Sequence, residues 1–153
     1  MKRIRKHTIV LVLAVVASGL LVGAALATMG GGFTATPAVK GTMAGEVHLN
    51  SDRIKFQTKG SVDIASNEVT YEAGGYSGWH MHPGVVLVVV KSGSVDRYVG
   101  SCTNPTTYSQ GQAFVEYGDE PPMQIQSSGG AVLEVTYVVP NGSLLKVDSP
   151  APC

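Results

Sequence analysis

Two histidines, His80 and His82, stand one residue apart in "GWHMHPG", directly ahead of the apolar run "VVLVVVK". Side chains alternate along an extended chain, so both imidazoles project from one face, two residue rises apart. Imidazole is the commonest ligand side chain for transition metals, and two so placed can reach one ion. A catalytic metal, however, normally takes three protein ligands and keeps a position open. The carboxylates of Glu116, Asp119 and Glu120, bunched in "FVEYGDE", are candidates for the third. Two histidines and a carboxylate make the donor set of non-haem iron, whereas the soft thioether of Met123 would suit copper. His48 is the remaining imidazole outside the N-terminal stretch. Each candidate also has a plainer reading: "GDEPP" as a solvated acidic turn, Met123 as a core side chain, His48 as a surface residue beside Glu46 and Asn50.

Other chemistry finds little support. No serine sits in a nucleophile elbow, and the glycine-rich stretches are not followed by helices, which removes a phosphate cradle. Phe56, Tyr71, Tyr76, Trp79, Phe114 and Tyr137 are spaced as core residues of strands. Tyr76 and Trp79 lie close to the histidine pair and are expected, with Val86, to line a pocket at a barrel mouth, where small ligands usually bind.

The elements that must hold these residues are short strands. "RIKFQT" and "NEVTYEA" alternate, with Ile54 and Phe56, then Val69 and Tyr71, on one side. "VVLVVVK" is continuously apolar and β-branched, which predicts a central strand covered on both faces. "SVDRYV" follows Lys91-Ser92-Gly93, read as a tight hairpin connection. "QAFVEY", "MQIQS", "AVLEVTYVV" and "LLKV" complete the series, punctuated by Gly-Gly, Asn-Pro, Pro-Pro and Pro-Asn-Gly. No segment after residue 45 carries a helical period. About eight strands without helices imply an all-β barrel or sandwich occupying residues 46–153.

Ahead of it, "MKRIRKH" carries four basic residues, and Thr8 to Ala27 runs without a charge to Ala25-Leu26-Ala27. That is the pattern of a secretory signal with an A-x-A cleavage site over residues 1–27; an uncleaved membrane anchor through residues 8–27 is the alternative. Either way the remainder is exported, to the cell envelope or beyond. Residues 28–45, "TMGGGFTATPAVKGTMAG", read as a flexible linker. Beyond Ala27 the chain carries eleven acidic and seven basic residues, a net charge of −4 with no basic cluster. That argues against nucleic acid and against an anionic membrane surface as partners. Export also means an oxidising compartment, so Cys102 and Cys153 are expected to pair, a bond worth about 4 kcal/mol by chain entropy.

Gly74, His80, His82, position 86 and Gly93 are spaced as in the first motif of the cupin superfamily, which the chain resembles over roughly residues 45–148. "GWHMHPGVVLVVVKSG", "GQAFVE" and "VTYVVPNG" look most like the small exported single-domain cupins. The resemblance implies a jelly-roll, or double-stranded β-helix, barrel whose interior site is bound by two histidines, a glutamate and a second-motif histidine. His80 and His82 occupy the first two positions. The glutamate position falls on Val86, and the last histidine falls near Pro121-Pro122-Met123. Two of the four implied ligands are therefore absent, and the site reads as degenerate.

Three functions follow from this. One is an exported barrel that binds a small molecule, or a weakly held metal, without turning it over. Another is a metal-dependent enzyme of dioxygenase or isomerase type, using His80, His82 and a recruited carboxylate with iron, manganese or copper. The last is a structural scaffold with no cofactor. Barrels of this type often pair through edge strands, so a homodimer stays open.

Overall fold

Backbone pairing closes the chain on itself. In the computed structural model, which describes residues 27–153, β5 (Val62–Tyr76), β7 (Val85–Val99), β10 (Met123–Ser127) and β11 (Ala131–Pro140) form a ring. β5 pairs with β11, β11 with β7, β7 with β10, and β10 again with β5, always antiparallel. Around this ring sit β1 (Gly31–Ala35) and β2 (Val39–Met43) on β5, and β8 (Thr106–Ser109) and β9 (Ala113–Glu116) on β7. β6 (His80–Met81) lies between β10 and β12 (Val147–Asp148). β3 (His48–Ser51) and β4 (Ile54–Gln57) form a separate hairpin. The described residues are thus all-β with a closed barrel, and no helix among them is long and apolar enough to cross a membrane. The signal or anchor expected over residues 1–27 lies, but for its last residue, outside the described residues.

The inward rows of β7 and its neighbours make the core: Val86, Val88, Val90, Val95, Phe114, Ile125, Leu133 and Val135 are all buried. Each apolar side chain of this size contributes about 1.5–3 kcal/mol when removed from water.

Three expectations are corrected here. Residues 28–45 are not a linker, because β1 and β2 add ladder pairs to β5 and take the barrel back to about residue 28. β7 is not covered on both faces: it alternates, and Val85, Leu87 and Val89 are 40–46% exposed. Nor do Lys91-Ser92-Gly93 make a hairpin, since β7 continues through them. At Gly93 the backbone takes φ 73° and approaches so closely that a Cβ there would lie 2.1 Å from the Gly130 carbonyl oxygen. Glycine therefore bends one strand between two partner sets, β9 and β11 before it and β8 and β10 after it.

Candidate metal centre

Three segments from distant parts of the chain grip the histidine pair. The Trp79 N–H donates to Thr28 Oγ1 at 2.8 Å, and the Ser149 N–H donates to the Trp79 carbonyl at 2.9 Å. His80 stands in register with both Met123 and Asp148. The turn ahead of it needs Gly78, whose φ is 70° and whose Cβ position lies 2.2 Å from the Thr28 carbonyl oxygen.

Backbone carbonyls orient both rings. His80 Nδ1 lies 2.9 Å from the Gly78 oxygen, and His82 Nδ1 lies 2.6 Å from the Leu145 oxygen. A carbonyl can only accept, so each Nδ1 carries a proton and donates it. Nε2 is then the nitrogen each ring offers inward, the arrangement of a metal-binding histidine with its outer partner in place. Burial, the main cause, pulls the His80 pKa down to about 4, so that ring stays neutral and able to ligate at ordinary pH.

The third donor is Glu116. Strand register sets it directly opposite Val86, with Tyr137 opposite Val86 on the other side. Residues paired this way share a face, so the carboxylate stands one strand over from the position that the cupin resemblance reserves for it. Glu116 is buried, with Oε2 3.1 Å from His82 Nε2. Donor atoms of His80, His82 and Glu116 all lie within 4.8 Å of one another. With Nδ1 already protonated, an unprotonated Nε2 would set a lone pair against a carboxylate oxygen. A positive charge has to lie between them, supplied by a proton or by a metal ion. The donor set fits a divalent transition metal.

Behind Glu116, its Oε1 and Arg97 Nε stand 3.8 Å apart, both buried and both without a hydrogen-bond partner. Arg97 Nη2 bonds to Glu120, and its guanidinium lies 5.8 Å from the centre of the Phe114 ring. Before the donors lies a cavity of about 180 Å³, walled by Phe33, Tyr71, Phe114, Ile125, Tyr137 and Lys146 among others. Burial, helped by the Glu116 charge, raises the Tyr71 phenol and pushes Tyr137 up to about 12. Both therefore remain protonated donors through neutral pH.

Of the residues singled out in the sequence, His80, His82 and Glu116 come together. His48 is exposed on the β3–β4 hairpin, Asp119 is exposed, and Glu120 is held by Arg97. Met123 is fully buried beside His80 in register but does not line the cavity. Neither do the three expected pocket residues. Tyr76 is 39% exposed, at the end of β5; Trp79 is buried among the N- and C-terminal segments; Val86 is covered between Glu116 and Tyr137. Phe33, Tyr71, Tyr137 and Lys146 take their place. Tyr71 and Tyr137 sat on alternating strands as core candidates, whereas Phe33 and Lys146 gave no signal.

Cys102 and Cys153 are joined as a disulfide, with Cα atoms 6.1 Å apart.

No protein-family model and no curated protein matches this chain. Solved structures do. An RmlC-like cupin from Shewanella frigidimarina NCIMB 400 is 14% identical, over 52% of this chain and 68% of its own, with a TM-score of 0.46. A conserved protein with a double-stranded β-helix domain from Klebsiella pneumoniae subsp. pneumoniae MGH 78578 is 17% identical, over 56% and 75%, with a TM-score of 0.48. The DMSP lyase DddQ from Ruegeria pomeroyi DSS-3 is 16% identical, over 55% of this chain and 42% of its own, with a TM-score of 0.47.

Proposed function

We propose that this chain is an exported, metal-dependent enzyme acting on a small molecule bound in the barrel. The observation that carries the reading is Glu116 beside His80 and His82, with the cavity in front of them. A site read from sequence as two ligands short has three donors, the number a catalytic metal normally takes from protein. Bound there, a divalent metal would act as a Lewis acid toward a ligand oxygen. The chain's own residues do the rest. His80 and His82 present Nε2, Glu116 supplies the negative charge, and the aromatic walls keep water from the ligand. Tyr71 and Tyr137 hold protons that they can donate to it. Support for export comes from the N-terminal basic-then-apolar pattern and from the disulfide, which persists in oxidising compartments.

Elemental analysis of the purified, exported protein tests this. About one equivalent of iron, manganese or copper is expected, and it should be absent from a His80→Ala, His82→Ala variant that still melts cooperatively. Protein that remains metal-free after incubation with all three ions would end the enzymatic reading and return the barrel to a binding or scaffold role.

A further inference from the structure

The last eleven residues, 143–153, cross the histidine pair as a strap. The Leu145 carbonyl orients His82, and Lys146 Nζ donates to the Ser77 carbonyl at 3.0 Å while lining the cavity. Val147 and Asp148 pair with Met81 and His80, and Ser149 bonds to Trp79 and Thr28. The strap's own apolar side chains contribute little to its hold: Leu144 is 70% exposed, Val147 is 40% exposed, Leu145 is only partly buried, and none of the three belongs to the core cluster. Hydrogen bonds, most of them to its backbone, and one covalent tie, Cys153 to Cys102, keep it in place. Segments with few buried apolar contacts open at low free-energy cost unless something else restrains them.

We propose that this strap is the positioning element of the metal centre and that the Cys102–Cys153 bond sets how firmly the centre holds its metal. The inference rests on the metal reading above. A dithiol reductant is the agent that would release the strap. One of its thiolates attacks a bridging sulfur, its second thiol resolves the mixed disulfide, and Cys102 and Cys153 leave as thiols with the two electrons and two protons. With that bond broken, the Leu145 carbonyl no longer fixes the His82 ring, and Lys146 leaves the cavity wall. Losing an outer partner of a ligating histidine costs about 10–100-fold in metal affinity.

A Cys102→Ser, Cys153→Ser variant allows the test without a chelating thiol. Titrated with manganese(II) alone, it should bind at least 10-fold more weakly than the oxidised wild type. Amide hydrogen exchange should rise in residues 143–150 while β7 and β11 stay protected. Equal manganese affinity in the two proteins, or a strap that stays protected in the variant, would overturn the proposal. So would exchange rising throughout β7 and β11, because the bond would then be holding the barrel. Failure of the metal reading looks different: oxidised wild type would bind none of manganese, iron and copper, and strap exchange would still report whether the disulfide restrains it.

Discussion

Glu116→Val is expected to strip the barrel of metal, and adding Val86→Glu to the same chain is expected to restore part of it. The two positions face each other across the β7–β9 ladder, and both are inward and buried. Directly opposed Cβ atoms lie about 4.5–5.5 Å apart, a distance that the length of a glutamate side chain can span. Moving the carboxylate from one strand to the other therefore keeps it within reach of His82. The single variant removes a ligand, so its loss of manganese affinity should exceed the roughly 100-fold at the upper end of outer-partner losses. Arg97 retains Glu120, so the single variant leaves no buried guanidinium without a partner. The double variant should recover at least 10-fold of what was lost. Calorimetric titration with manganese(II), beside thermal melts showing that both variants fold, gives the answer. Unchanged affinity in Glu116→Val would remove Glu116 from the ligand set. A double variant no better than the single one would show that the two positions are not interchangeable around the ion.

That exchange also explains what was readable from sequence. His80 and His82 could be paired because only strand alternation separates them, a local rule. Glu116 lies far along the chain, and nothing local says that β9 will pair with β7 in the register that sets it opposite Val86. The motif reserves position 86 for the carboxylate, where this chain has valine, while the fold supplies one from the neighbouring strand. Residues 28–45 were missed for another reason. "AVKGTM" has no apolar alternation, because β2 is exposed along most of its length and is held by its ladder with β5. Phe33, a cavity wall, was lost with that segment. β7 misled in the opposite direction, since its outer residues Val85, Leu87 and Val89 are as apolar as the inner ones yet remain partly exposed. Strong β propensity marks a strand without saying which faces are covered.

Asp63→Ala should lower the melting midpoint at pH 7 by roughly 10 °C or more, the largest stability effect expected outside the hydrophobic core. Asp63 is buried in β5 and accepts from four donors: Lys40 Nζ, Thr42 Oγ1 and Asn141 Nδ2, each at 2.8 Å, and the Gly142 N–H at 2.9 Å. Two come from β2 and two from the turn after β11, so one carboxylate ties three segments together. Alanine would remove four hydrogen bonds to one ionised acceptor, and bonds to a charged group are the stronger kind. Lys40 first, then the Gly142 N–H and the two side chains, hold this carboxyl well below the usual carboxylate range. Its folded pKa is thus depressed. The stability it contributes is complete above the ordinary carboxylate range and is lost as pH falls through that range toward the folded value. Wild type should lose much of its advantage over Asp63→Ala as pH falls from about 5 to about 2, because acid protonates this carboxyl in the unfolded chain while the folded one stays charged. Equal midpoints at pH 7, or a gap that stays constant down to pH 2, would show that the clasp does not carry this stability. The consequence reaches the metal centre as well, because Asn141 and Gly142 immediately precede the strap that carries the Leu145 carbonyl. Loosening the clasp should speed manganese release even though Asp63 touches none of the ligands.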